Sequence, residues 1–178
     1  GGLGYIGTEL CKLYSGVSWH HDIVVIDNRF ISERVNQIRN WNMEFVQGDI
    51  LDKELIKKYC SEADIIHNLA GVTSVPRTKS EASGEQDKKI REVGEKGTQN
   101  ILDVISDNCK IIFPSTHVVY EGIDEIKTNI KENETTKPVL SYSTSKAVNE
   151  DQLKKSGKNF VILRLGSVYG YSTDSMRI

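Results

Sequence analysis

The chain has 178 residues, 38% of them hydrophobic, enough for one domain with a continuous core but tight for two. Lys and Arg number 23 against 25 Asp and Glu, a net charge of -2 with no long basic tract, which argues against nucleic acid as a partner. No apolar run approaches the roughly 20 residues of a membrane span, no charged leader with an apolar stretch opens the chain, and Cys11, Cys60 and Cys109 lack the spacing of a disulfide framework or metal knuckle. The expectation is a soluble, cytoplasmic protein with reduced thiols.

In chain order, residues 5–15 place Ile6, Leu10 and Leu13 at helical spacing. Short β-branched runs at 23–26, 43–46, 64–69, 110–113 and 160–165 read as strands. Asp52 suits the N-cap of a helix carrying Leu55, Ile56 and Tyr59. Residues 73–85 are polar and hold Pro76 and Gly84, a loop before a helix running to about Asp107. A second polar stretch, 121–137, leads to a helix beginning near Tyr142. Strands alternating with amphipathic helices predict a doubly wound α/β domain, a parallel sheet covered on both faces. The chain opens at Gly1, already inside a glycine-rich run, and stops at Ile178. Residues 1–178 therefore read as a fragment, with the first strand and most of the substrate-binding part outside it.

Gly1, Gly4 and Gly7 form G-x-x-G-x-x-G, a spacing that lets backbone approach a pyrophosphate at a helix N-terminus. Asp27 ends the run IVVID twenty positions after Gly7, about where a ribose-binding carboxylate falls. A carboxylate there accepts from a ribose 2'-hydroxyl and repels a 2'-phosphate, so NAD is favoured, with Arg29 leaving NADP open. Tyr142 and Lys146 stand four residues apart, on one helix face, where an ammonium favours the phenolate needed for proton transfer. His20, His21 and Asp22 adjoin one another without distant partners, so no metal is expected.

The chain resembles the extended short-chain dehydrogenase/reductases, the group that includes NAD-dependent nucleotide-sugar epimerases and dehydratases. GGLGYIG is similar to that family's cofactor loop, VVIDN to its second strand, QGDI to its adenine segment and HNLAG to its fourth strand. PSTHVVYEG resembles the strand end that carries its substrate-holding hydroxyl, YSTSK its Tyr–Lys pair and RLGSVYG its following segment. The resemblance implies a Rossmann-like fold and a Rossmann cofactor site made by Gly1, Gly4, Tyr5, Ile6 and Gly7 on the pyrophosphate, and Asp27 with Asn28 on the adenine ribose. Asp49 and Ile50 would meet the adenine, and Leu69, Ala70, Gly71 and Ser115 would lie along the cofactor. Thr116 would hold a substrate hydroxyl, Tyr142 would move its proton, and Lys146 would bind the nicotinamide ribose and lower the phenol's pKa.

Departures from the pattern matter for substrate. Gly94 replaces the Asn of the family's helix motif, Gly166 and Ser167 stand where Phe-Asn is usual, and Tyr171 replaces Pro. His117 reads either as a substrate contact or as a neutral histidine filling the strand end, and Ser167 is a further substrate candidate. The dehydratase strand end STDEVYG has an acid and a base where this chain has His117 and Val118, and Val118 transfers no proton. The expected function is an NAD-dependent epimerase or oxidoreductase acting on a nucleotide sugar or related secondary alcohol, with a homodimer as the assembly. The alternatives are a non-catalytic NAD(P)-binding regulator of the same fold and a nucleotide-sugar dehydratase.

Overall fold

Alternating runs of Val and Ile become five parallel strands in the computed structural model of the chain, which describes residues 1–72 and 84–170. Strand β1 (Val24–Asp27) pairs with β2 (Glu44–Gln47) from Val24↔Glu44 to Asp27↔Gln47. Strand β3 (Ile65–His67) pairs with β4 (Lys110–Thr116), which pairs with β5 (Asn159–Leu165) from Lys110↔Asn159 to Thr116↔Leu165. Parallel neighbours need crossover connections, and helices supply them: α1 (Tyr5–Tyr14), α2 (Ser32–Asn40), α3 (Lys53–Cys60), α4 (Gly84–Arg91), α5 (Gly97–Leu102) and α6 (Ser141–Lys155).

Among the described residues the strands form two sheets, β1-β2 and β3-β4-β5. The glycine loop lies between them. The Gly1 and Gly2 nitrogens both donate to the Ile26 carbonyl near the end of β1, at 2.9 and 3.1 Å, while the Gly1 α-carbon abuts the Leu69–Ala70 peptide beyond β3. At the other end of α1, the Tyr14 hydroxyl lies 3.0 Å from His67 Nε2 on β3, with the rings edge to face.

Two apolar cores follow the same division. Leu3, Cys11, Val25, Val35, Ile38 and Met43 gather around β1 and β2. Ile56, Ile101, Ile111, Phe113 and Leu153, among others, pack α3, α5 and α6 against β3-β4-β5. Burial of such side chains contributes about 1.5–3 kcal/mol each before chain entropy is counted.

Several elements differ from the sequence expectation. Helix α2 is absent from it, because SERVNQIRN buries only Arg34, Val35 and Ile38 and shows little apolar periodicity. The helix expected to run to about Asp107 is α4, a π-helical turn (Glu92–Lys96) and α5, which ends at Leu102. Strand β4 continues three residues beyond 113, to Thr116, and a 3-10 turn (His117–Tyr120) follows it. Most of the polar loop expected at 73–85, together with Tyr171, lies outside the described residues.

Candidate active site

Helix α1 starts immediately after Gly4, which has no side chain to cap it, and its first turn carries no acid. The opening N–H groups of a helix left this way, at the positive end of its dipole, suit a phosphate. Gly7, in the first turn of α1, is buried against the loop, and a Cβ there would stand 2.5 Å from the Gly2 carbonyl oxygen and 2.7 Å from that of Gly1. Only glycine permits this approach.

Leu3, fully buried, anchors the loop through both sides of its backbone. Its N–H donates to Asp27 Oδ2 at 3.0 Å, and its carbonyl accepts from Arg34 of α2. Asp27 is 3% exposed and also accepts the Arg29 N–H at 2.9 Å, with Arg29 Nε at 3.4 Å. Burial opposes its charge, and the N–H groups of Leu3 and Arg29 with the Arg29 guanidinium favour it. Asp27 thus sits at the end of β1 as expected and grips the glycine loop as well. Arg29 lies over it as a partner. Arg34 escaped the sequence reading, since a buried arginine in a polar helix leaves no pattern.

After β2, Asp49 Oδ1 accepts the Leu51 N–H at 2.9 Å and Asp49 Oδ2 accepts from Asn28 Nδ2 at 3.3 Å. This joins two of the expected adenosine-side residues. Ile50 is buried, and its carbonyl accepts from Asn100 Nδ2 at 3.0 Å. Leu69, Ala70 and Gly71 follow β3, and the Leu69–Ala70 peptide lies against Gly1.

Helix α6 brings Lys146 and Tyr142 beside the end of β4. Lys146 Nζ donates to the Pro114 carbonyl at 2.8 Å, lies 4.4 Å from the Phe113 ring centre and 5.9 Å from that of Tyr142. Burial pulls the ammonium from 10.5 down to about 8. It also raises the Tyr142 phenol above its ordinary value, so the lowering expected from Lys146 is not a property of the protein by itself. Thr116 is buried and its oxygen accepts the Val118 N–H at 3.3 Å, leaving its own O–H proton to donate elsewhere.

Ser115 turns to the opposite side of β4 from Pro114 and donates to Glu150 at 2.6 Å. His117 is exposed, and its Nδ1 donates to the Leu165 carbonyl at 3.2 Å, so it fills the strand end while presenting Nε2 outward. Ser167 is exposed beyond β5.

The entry to helix α6 is held from a distance. Glu121 Oε1 accepts from the N–H groups of Val139 and Leu140, at 2.8 and 2.7 Å, and from the Ser143 hydroxyl. Burial opposes the carboxylate, and these donors outweigh it, holding Glu121 below its usual pKa. Gly94, in the π turn, lies so near α6 that a Cβ would stand 2.6 Å from Ser145 Oγ, and its carbonyl accepts from Asn149 at 3.1 Å. A side chain at this position would meet the Ser145 hydroxyl, which would have to turn away.

These residues fit a dinucleotide: uncapped N–H groups, a glycine cradle, a buried carboxylate at the end of β1 and an enclosed ammonium at the end of β4 define the site. Among the described residues, no three His, Cys, Asp or Glu side chains gather as metal ligands, and no helix is long and apolar enough to cross a membrane.

Fold and site together define a Rossmann-like dinucleotide-binding domain with a Tyr–Lys pair. The model of the NAD dependent epimerase/dehydratase family matches residues 1–178, and the chain belongs to that family. It is 32% identical to the CDP-paratose 2-epimerase of Salmonella typhi, across 96% of this chain and 56% of that protein. It is 28% identical to the dTDP-D-glucose 4,6-dehydratase of Dictyostelium discoideum, across 96% and 43%. The structure of UDP-glucose 4-epimerase from Brucella ovis in complex with NAD superposes with a TM-score of 0.73 at 27% identity, covering 92% of this chain and 49% of that one. The chain spans about half the length of the curated relatives it matches.

Proposed function

We propose that the protein carrying this chain is an NAD-dependent epimerase or oxidoreductase that acts on a nucleotide sugar or a related secondary alcohol, with Tyr142 as its acid and base. The observation that carries this reading is the convergence at the end of β4. Helix α6 sets Tyr142 and Lys146 on one face, and the Lys146 ammonium is held on the Pro114 carbonyl, two residues before Thr116.

The chain's residues divide the work. The α1 N-terminus and the glycine cradle receive pyrophosphate, while Asp27 receives the adenine ribose and disfavours a 2'-phosphate. NAD, when bound, supplies the acceptor and donor of hydride. Thr116 donates a hydrogen bond from its hydroxyl to the oxygen of the reacting carbon and keeps its proton. Tyr142 takes that carbon's hydroxyl proton and returns it, and the Lys146 charge favours the phenolate once the phenol is ionised. Val118 offers no group for proton transfer, which favours epimerisation or simple redox chemistry over elimination of water. The three cysteines are free and buried, in keeping with a reducing cytoplasm, and the assembly in this reading is a homodimer.

The test is to incubate the complete protein with UDP-, GDP- and dTDP-hexoses and analyse the products by mass spectrometry. A stereoisomer, or a product changed by two hydrogens, is expected. A product about 18 mass units lighter, the loss of water, would overturn the choice of reaction. Tyr142→Phe should abolish turnover while NAD affinity, read by calorimetry, stays within about threefold. Surviving turnover would remove Tyr142 from the mechanism.

A further inference from the structure

On α6, Glu150 follows Lys146 and Tyr142 at four-residue steps, on the same helical face one turn further along. It is 1% exposed. Arg164 of β5 holds it with two prongs, Nε to Oε1 at 2.9 Å and Nη2 to Oε2 at 2.6 Å. Oε1 also accepts the Ser115 hydroxyl of β4 at 2.6 Å, and Lys154 stands 3.4 Å from Oε2. Burial opposes the charge on Glu150, and Arg164 and Ser115 outweigh it, so the carboxylate is ionised.

The guanidinium does more than neutralise Glu150. Its remaining prong, Nη1, donates to the Tyr120 hydroxyl and, at 2.9 Å, to the Glu132 carbonyl, and its central carbon lies 5.2 Å from the Tyr120 ring centre. One side chain therefore joins α6, the 3-10 turn that leaves Thr116, and the segment that leads from that turn into α6. Each of these carries part of the candidate site: Tyr142 and Lys146, then Thr116 with His117, then Glu121. A buried ion pair is weak evidence for stability, because apolar side chains of similar volume commonly do as well. Its fork geometry is what an apolar pair lacks.

We infer that Arg164 and Glu150 are positioning residues that set the Tyr142 phenol against the Thr116 hydroxyl, by tying α6, the exit of β4 and the approach to α6 to one point on β5. This inference rests on the function proposed above.

The test uses the complete protein, its Arg164→Met/Glu150→Met double variant and the single variant Arg164→Lys. The double variant should melt within a few degrees of the parent, bind NAD normally and keep KM for the sugar nucleotide within about threefold. Its kcat should fall between about tenfold and a hundredfold, as small misplacements of reacting groups do. Arg164→Lys keeps the charge pair without the fork, and its kcat should lie between the two. In the apo protein, amide hydrogen exchange across residues 117–137 should speed up in the double variant while α3 and β2 stay protected.

A folded double variant with parental kcat and unchanged exchange at 117–137 would overturn the inference. If the double variant does not fold, Arg164→Lys decides alone, and parental kcat in it overturns the inference. A parent that turns over no sugar nucleotide refutes the proposed function instead, and the exchange measurement then still decides whether the pair holds these segments.

Discussion

Replacing Lys146 by Met should make the apo protein's stability respond differently to pH, by an amount the site dictates. Burial holds the Lys146 ammonium at about 8 in the folded protein, whereas an unfolded lysine titrates near about 10.4. Between those values the unfolded chain binds more protons than the folded one, so stability rises with pH there. The penalty for burying the charge is present in full below about pH 8 and is relieved as pH climbs towards about 10.5. At about 1.36 kcal/mol per pH unit, and with roughly 1.5 units of difference accumulated between pH 7 and 9.5, the parent gains about 2 kcal/mol. Met keeps an unbranched stem but loses the ammonium's bond to the Pro114 carbonyl and its place over the Phe113 ring, each worth about 1 kcal/mol. Those losses shift the whole comparison and leave its pH dependence to the charge. Paired thermal unfolding of parent and Lys146→Met at pH 7 and 9.5 cancels the other titrating groups. The gap in Tm should move about 4–8 °C in the parent's favour on going to the higher pH. A gap that stays constant, or moves the other way, would refute the claim that Lys146 is charged at a cost in the resting fold.

Asp27→Ala should reduce the preference for NAD over NADP by about tenfold, since it removes 2'-phosphate repulsion and frees Arg29; an unchanged ratio of calorimetric dissociation constants would count against Asp27 as the selector. Gly7→Ala should weaken NAD binding by at least about tenfold, because its Cβ would meet the Gly1 and Gly2 carbonyls and push the loop open; undiminished binding would show that the loop relaxes freely. Glu121→Ala should lower stability by about 1 kcal/mol or more by releasing the segment that enters α6, with faster amide exchange at Val139 and Leu140. Unaltered exchange there would mean that another group holds this segment.

The parts of the site that the sequence makes readable are those whose chemistry demands one residue type at one spacing. Gly1, Gly4 and Gly7 announce a turn that only glycine makes, and Tyr142 with Lys146 announce a shared helix face. The strands are readable for a similar reason, since a parallel sheet covered on both faces needs continuous apolar runs. What stayed hidden depends on pairing between distant positions. Arg34 reaches Leu3 across 31 residues, Glu121 reaches α6 across about 20, and Arg164 reaches Tyr120 across 44. In the sequence each is one charged residue among many. The π turn at Gly94 is hidden as well, because the close approach of Ser145 and Asn149 that calls for it belongs to tertiary packing. Ser115 belongs here too: its motif suggested a cofactor contact, and its place on β4 turns it to Glu150.

The glycine loop does two jobs with one set of atoms. Its first residues hydrogen-bond to the end of β1 and rest on the peptide beyond β3, so the loop fastens the ends of two strands to each other. Its last residues open α1, where a pyrophosphate would dock. A ligand seated there stabilises the folded chain, and by mass action every tenfold excess over its dissociation constant adds about 1.4 kcal/mol. Cofactor occupancy is thereby written into the cohesion of the whole domain, well beyond the pocket that receives it.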